Sequence, residues 1–257
     1  MPNNKIYIYY RHYNAGAHGA RARDPNKGRP KWFSYSNCLK NIIKTCCNQE
    51  STEVNLIIWY DGNINDISSD QSIIDLTSFK IDSKYLKLNI LHNEWKGPTS
   101  SWIGLIDYIL KNHNDDDDII YLLENDYLHQ TNWINNVLEV YASELKFDYL
   151  SLYDHADNYH LPTHKKFQTE FFYTKNQIWR TIFSTCGSFI TTLKNIRNDE
   201  AALKTLPDFQ LFLHLSVQGK ILITSIPGLS THAMLGLESP AVNWEYISKE
   251  TDYYAQS

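Results

Sequence analysis

The chain has 257 residues, 42 % of them hydrophobic and 21 % charged, with a formal net charge of −5. That length buries a full core and suits one large α/β domain over 1–257 better than two small ones, and the acidic balance argues against nucleic-acid or anionic-membrane binding. No run approaches the roughly 18 apolar residues needed to span a bilayer. The opening Met1 to Lys5 also lacks a signal-peptide apolar stretch, so no transmembrane segment and a cytoplasmic location are expected.

Charge is unevenly placed. Arg11, Arg21, Arg23, Lys27, Arg29 and Lys31 face a single acid, Asp24, so this segment carries +5 and the remainder −10. A basic loop on an acidic protein points to a local anionic ligand such as a diphosphate. Aromatic residues make up 14 %, a proportion compatible with carbohydrate contacts and equally with an ordinary core. The four cysteines, Cys38, Cys46, Cys47 and Cys186, lack metal-type spacing and read as reduced core residues.

In chain order, Ile6 to Tyr10 reads as a strand, followed by the basic loop 12–31. In 34–47, Tyr35, Cys38, Leu39, Ile42, Ile43 and Cys46 fall on one helical stripe. Val54 to Tyr60 is a buried strand ending in Asp61-Gly62, and Leu86 to Leu91 is another. After Pro98 a helix presents Trp102, Leu105, Ile106, Ile109 and Leu110 on one face. The acidic run Asp115 to Asp118 reads as a solvated turn before the strand Ile119 to Leu123, which ends in Glu124-Asn125-Asp126. A helix over 132–145 and a strand from Asp148 to Tyr153 follow.

Alternating strands and helices predict a largely parallel sheet covered on both faces, with ligands at the carboxyl ends of the strands. Residues 165–192 read as an antiparallel extension. A helix then opens after Pro207, its Phe209, Phe212, Leu213 and Val217 turned inward, and stops at Gly219. Ile221 to Ile226 is a last strand, leading to His232.

Arg11, Asp61, His92 and Glu124–Asp126 all fall at carboxyl ends of strands. Glu124 and Asp126, two residues apart, can converge on one hard cation or simply form an acidic turn. Asp61 can accept a hydrogen bond from a nucleotide base or close an Asp-Gly turn. Asp208 is either a plain helix opening or a general base for an acceptor hydroxyl. His232 is either a metal ligand or a packing residue. Walker-type, Gly-x-Gly-x-x-Gly and Gly-x-Ser-x-Gly motifs are absent.

In this order the pieces resemble the GT-A-fold glycosyltransferases, specifically the family 2-like group, over roughly residues 5 to 235. Ile57 to Gly62 looks like the base-binding strand, and Asn93-Glu94-Trp95-Lys96-Gly97 like the Asn-x-Gly opening of a helix. Ile119 to Asp126 looks like the strand leading into Asp-x-Asp. Pro207 to Phe212, Gly219 to Ile223 and His232 look like the catalytic helix, strand and terminal histidine. The chain also looks like a sub-group sharing Trp32-Phe33-Ser34, Tyr153-Asp154-His155, Trp179-Arg180-Thr181 and Gly228 to His232.

The resemblance implies a GT-A-like domain with a nucleotide-binding half over about 1–130, an acceptor half over about 131–240 and a tail over 241–257. It implies a divalent metal, Mn2+ or Mg2+, on Asp126 and His232 with Glu124 through water, and Asp208 as the base of an inverting transfer. The implied donor is a nucleoside-diphosphate sugar, UDP-sugar favoured, touched by Arg11, Asp61, Lys96, Glu124, Asn125, Asp126 and Arg180. The implied acceptor is a glycan or other hydroxyl, near Asp154, His155 and Trp179. Glu124 replaces the family's first Asp, and Pro207 replaces the acid that normally precedes the base. Two rival readings are a sugar-nucleotide-forming nucleotidyltransferase and a non-catalytic carbohydrate-binding domain. The first expects a Gly-x-Gly-x-Arg loop after the first strand, whereas Gly16, Gly19 and Gly28 are spaced too widely; the second explains the aromatics without the acids.

Overall fold

The structure, a computed structural model, describes residues 5–13, 28–49, 51–77, 83–94, 97–161 and 167–254, with 252–254 described by backbone alone. Most of the basic loop and Lys96 lie outside the described residues.

The strands are β1 (Ile6–Tyr13), β2 (Val54–Asp61), β3 (Leu86–Asn93), β4 (Ile119–Glu124), β5 (Tyr127–His129), β6 (Tyr149–Ser151), β7 (Phe171–Tyr173), β8 (Ile178–Ile182), β9 (Phe189–Thr192), β10 (Leu222–Ile226) and β11 (Ser230–His232). The helices are α1 (Tyr35–Cys47), α2 (Ile64–Ile67), α3 (Gln71–Thr77), α4 (Pro98–Asn112), α5 (Trp133–Tyr141), α6 (Asp157–His160), α7 (Leu193–Asn198), α8 (Glu200–Thr205), α9 (Asp208–Val217) and α10 (Trp244–Tyr254). Among the described residues one large sheet runs β3-β2-β1-β4-β9-β6-β10-β8-β7, and a separate ribbon pairs β11 with β5. β1, β2, β3 and β4 are mutually parallel, as are β6 and β10, while β9 and β8 run against their neighbours. The largely parallel α/β sheet is as expected.

Alternation along β1 sorts the two faces of the sheet. Ile6, Ile8 and Tyr10 pack with Leu39, Ile42 and Ile43 of α1 and with Trp133, Ile134 and Val137 of α5. Tyr9 faces the opposite layer, with Leu105, Ile106 and Ile109 of α4, Leu193 and Ile196 of α7, and Leu211, Phe212 and Leu215 of α9. Covered on both faces, β1, β2 and β4 read as nearly unbroken apolar runs. α1 starts where it does because the Ser34 side chain accepts the Asn37 N–H at 3.1 Å. α4 starts at Pro98, whose missing N–H costs nothing in a first turn.

Three expectations are corrected. The helix expected over 132–145 ends at Tyr141, and the expected 148–153 strand shortens to Tyr149–Ser151, with Tyr153 adding an isolated parallel bridge to Ser230. α9 turns Leu211, Phe212 and Leu215 inward, leaving Phe209, Leu213 and Val217 exposed, because the helix rests on the sheet one residue out of the expected phase. The stretch after 241 carries α10, whose backbone and side chains tie to α1: Asn37 Nδ2 donates to the Ser248 carbonyl at 3.0 Å and Asn41 Nδ2 to Thr251 Oγ1 at 3.3 Å.

The ribbon is anchored through His129, fully buried, its N–H donating to Asn41 Oδ1 at 2.7 Å and its Nε2 lying 2.9 Å from the Tyr121 hydroxyl. Burial pushes its imidazole down from 6.5 to about 3. Between those values the unfolded chain takes up a proton that the folded chain refuses, so stability is present above pH 6.5 and lost as pH falls below it. His129→Gln is expected to remove a slope of about 1.4 kcal/mol per pH unit between pH 6.5 and 5, measured by urea unfolding at several pH values. Identical slopes in the two proteins contradict the buried neutral assignment.

Candidate active site

β4 delivers Glu124 to the carboxyl edge of the sheet, and the chain turns there through Asn125 and Asp126 into β5. The ribbon then does what the sheet cannot: it brings in residues from more than a hundred positions later. His232 lies opposite Tyr127 in the ladder, their rings stacked 5.1 Å apart at 8°. The Ala233 N–H donates to the Asp126 carbonyl at 2.9 Å. The His232 Nε2 is consequently held 3.0 Å from Asp126 Oδ2. The sequence-based pairing of Asp126 with His232 is thus present in the fold.

A third group closes this pair. Arg29 donates from Nη2 to Asp126 Oδ2 at 2.7 Å and from Nη1 to the Ala233 carbonyl at 2.8 Å, and Nη1 lies 3.5 Å from His232 Nε2. Its guanidinium stacks over Phe33 at 4.7 Å. The preceding Gly28 sets this up: its φ of +76° is a backbone that L side chains rarely adopt, and its carbonyl accepts the Leu235 N–H at 2.8 Å. Burial alone would raise the Asp126 carboxyl, but the hydrogen bond and charge of His232, then those of Arg29, outweigh it and hold the group below the usual carboxylate range. Sequence reasoning counted Arg29 among the loop cations without singling it out.

Beside this triad lies a second cluster. Arg11 is the register partner of Glu124 on the adjacent strand, its Nη1 3.7 Å from Glu124 Oε1 and its guanidinium 4.9 Å over the Trp102 ring. Gly187 packs against the Glu124 carboxyl so closely that a Cβ there would sit 3.2 Å from Oε1. Asp208, first residue of α9, is within electrostatic reach of Arg11 and Glu124, and its carboxyl lies beside the backbone N–H of Gly187. Burial raises the Asp208 carboxyl above 3.8, with Arg11 opposing. The residue is exposed as a whole, so this crowding falls on the carboxyl end near Gly187 rather than on the full side chain. Burial likewise raises Glu124, reinforced by the charges of Asp126 and Asp208. Two acids pushed up beside one held down is an arrangement that separates proton-handling from charge-holding roles.

The remaining expected site residues are scattered. Asp61 sits at the carboxyl end of β2, in register with Tyr13 of β1 and Asn93 of β3, on the same edge as Arg11 and Glu124. Asn125 is 6 % exposed and turned inward: its Nδ2 lies 3.2 Å from His12 Nδ1, and its carbonyl accepts the Tyr10 hydroxyl at 3.0 Å. His12 in turn meets Asp70 at 2.9 Å, a buried network that strand patterning does not reveal. Trp179 is fully buried and donates its indole N–H to Thr174 at 3.2 Å, so it presents no surface to an acceptor. Asp154 is buried against Arg180, with an Nη2–Oδ1 distance of 2.6 Å. Arg180 lies on β8, four strands from β4 in the sheet order, while its partner Asp154 adjoins Tyr153, whose ring lies 6.2 Å from that of His232. His155 is half-buried, its Nδ1 accepting the Asp157 N–H at 3.1 Å.

Among the described residues no group of three or more His, Cys, Asp and Glu side chains is gathered to hold a metal, so the expected three-residue set with Glu124 is not assembled. The Asp126–His232 pair nevertheless suits a divalent cation. It offers a carboxylate and an imidazole converging at 3.0 Å, Asp126 Oδ1 is buried without a partner among the described residues, and a guanidinium already provides positive charge at that point. No helix among the described residues is long and apolar enough to cross a membrane.

No protein-family model matches the chain, and no curated protein does. Solved structures with a similar course of the chain include the inositol-1-phosphate CTP transferase from T. maritima (11 % identity, TM-score 0.44, covering 97 % of each chain). A putative glucose-1-phosphate thymidylyltransferase from Bacillus anthracis is another (11 %, TM-score 0.49, 96 % of this chain and 95 % of that one). The galactosyltransferase LgtC, in complex with donor and acceptor sugar analogs, is a third (9 %, TM-score 0.49, 97 % and 95 %). At such identities these are likenesses of fold alone.

Proposed function

We propose that the chain transfers a glycosyl group from a nucleoside-diphosphate sugar to an acceptor hydroxyl, with inversion. The observation that carries this reading is the gathering of Arg11, Arg29, Glu124, Asp126, Asp208 and His232, from five separate segments, at the carboxyl edge of β1 and β4. Asp61, on the same edge, suits the nucleotide base. Asp126 and His232 would hold a divalent cation, which would supply charge neutralisation for the diphosphate. Arg11 adds fixed positive charge for the leaving group. Asp208 accepts the acceptor's proton as the oxygen–anomeric carbon bond forms, and the electron pair of the breaking carbon–oxygen bond leaves with the nucleoside diphosphate. A raised carboxyl is a stronger base than an ordinary one.

UDP-, GDP- and dTDP-sugars incubated with manganese provide the test. Release of free nucleoside diphosphate from one of them is the expected outcome. Pyrophosphate formed from a nucleoside triphosphate and a sugar phosphate, with no diphosphate release, would instead establish nucleotidyl transfer.

Arg29 holds the cation's place until cation and donor arrive, so the two compete. Arg29→Met is expected to bind Mn2+ alone on the order of tenfold more tightly than the wild type, about 1.4 kcal/mol, titrated by electron paramagnetic resonance. Equal affinities would show that the guanidinium does not compete.

A further inference from the structure

A cleft lies beside β8, lined among others by Phe167, Gln168, Arg180, Thr181, Phe183 and Ser216, none of which belongs to the Asp126 triad. We propose that it is a subsite for a neutral pyranose of an oligosaccharide acceptor, one sugar unit removed from the reacting hydroxyl. The acceptor role rests on the transferase reading above; the sugar-binding role does not.

Three observations define the ligand. First, the wall is aromatic. Phe167 and Phe183 stack 4.1 Å apart at 12°, Phe209 meets Phe183 edge-on at 6.0 Å, and Phe167 remains 48 % exposed. A half-exposed flat ring suits the C–H face of a pyranose, which is apolar on that side and hydroxylated around its rim.

Second, the polar side of the cleft carries unused hydrogen-bonding capacity without net charge. Arg180 is 8 % exposed, and Asp154, 1 % exposed, neutralises it at 2.6 Å. The second Asp154 oxygen accepts the Tyr159 hydroxyl at 2.6 Å, and the guanidinium lies 4.6 Å over the Tyr159 ring. Among the described residues, the buried Arg180 Nε nevertheless finds no acceptor. A buried N–H without a partner is rare in a finished fold. With the charge already matched, a neutral oxygen is a better complement than a carboxylate or phosphate. Gln168 and Thr181 add an amide and a hydroxyl at the same cleft.

Third, the cleft is tied to the proposed base. Phe183 opens the segment Phe183-Ser184-Thr185-Cys186-Gly187, whose last residue lies beside the Asp208 carboxyl, and Phe209, which meets Phe183 edge-on, follows Asp208 directly. Four residues reach at most about 14 Å when fully extended, a span that a short oligosaccharide bridges. A monosaccharide acceptor would leave the cleft empty.

Saturation-transfer NMR on the full chain, with cellotriose, maltotriose and chitotriose as neutral probes and UDP with Mn2+ in a parallel sample, tests the assignment. At least one trisaccharide is expected to bind, and to bind roughly five- to tenfold more weakly to Phe167→Ala, while UDP binding is unchanged. Gln168→Ala, at an exposed position, gives a second variant with little risk to folding. No signal from any of the three sugars, or equal binding by wild type and both variants, overturns the subsite. Trisaccharide binding lost in Phe167→Ala without any UDP binding supports the cleft and removes the transferase reading.

Discussion

Asp208→Asn is expected to lower the transfer rate by roughly 10²–10⁴-fold while leaving nucleoside-diphosphate affinity unchanged. Asn keeps the shape and still offers an oxygen to the neighbouring Gly187 backbone, but it cannot take a proton. The loss therefore appears in the chemical step rather than in donor binding. Burial lifts the Asp208 carboxyl above 3.8, so the acid limb of the wild-type rate profile should lie above that value, with activity lost as pH falls through it and the base protonates. Single-turnover kinetics across pH 4 to 8 checks both statements. Turnover retained in Asp208→Asn, or a profile flat over that range, removes Asp208 from the base role.

The largest expected effect on stability comes from a pair outside the proposed centre. Asp154→Ala strands the Arg180 guanidinium, whose side chain is 9 % exposed, and is expected to cost about 3–5 kcal/mol in denaturant unfolding. Burial pushes the Asp154 carboxyl up even though Tyr159 and Arg180 pull it down, so ionising it inside the fold is costly and the pair is no net source of stability. Replacing both partners with apolar residues, Asp154→Leu with Arg180→Met, should recover much of the loss. A single variant costing under about 1 kcal/mol would show that water reaches the pair more freely than its burial indicates.

Long, strongly patterned elements were legible from residues alone. β1, α1, β2, α4 and β4 lie within three residues of their expected ends, because a strand covered on both faces and a helix with one apolar stripe leave period signals over eight or more positions. The parallel order followed from alternation of strands and helices, and it placed Arg11, Asp61 and Glu124 on one edge. The β5–β11 ribbon was not legible. Its strands have three residues each, too few for any period, yet they bring His232 to Asp126. The same limit hid Arg29, whose role depends on a Gly28 turn and on Ala233 and Leu235, more than 200 residues away. Asn125 and Trp179 look like site residues by position, but strand alternation and a tight turn point them into the interior, and one residue of phase decided which face of α9 was buried.

The central claim is that Asp126 and His232 hold a cation that carries a nucleoside diphosphate at the edge of β4. Calorimetric titration of UDP, GDP and dTDP with and without Mn2+, on wild type and Asp126→Ala, tests it most directly. The account predicts that Mn2+ strengthens binding of at least one diphosphate about tenfold or more in the wild type and has no effect in Asp126→Ala. Affinities identical in manganese and in chelator, or a manganese effect that survives in Asp126→Ala, would contradict it.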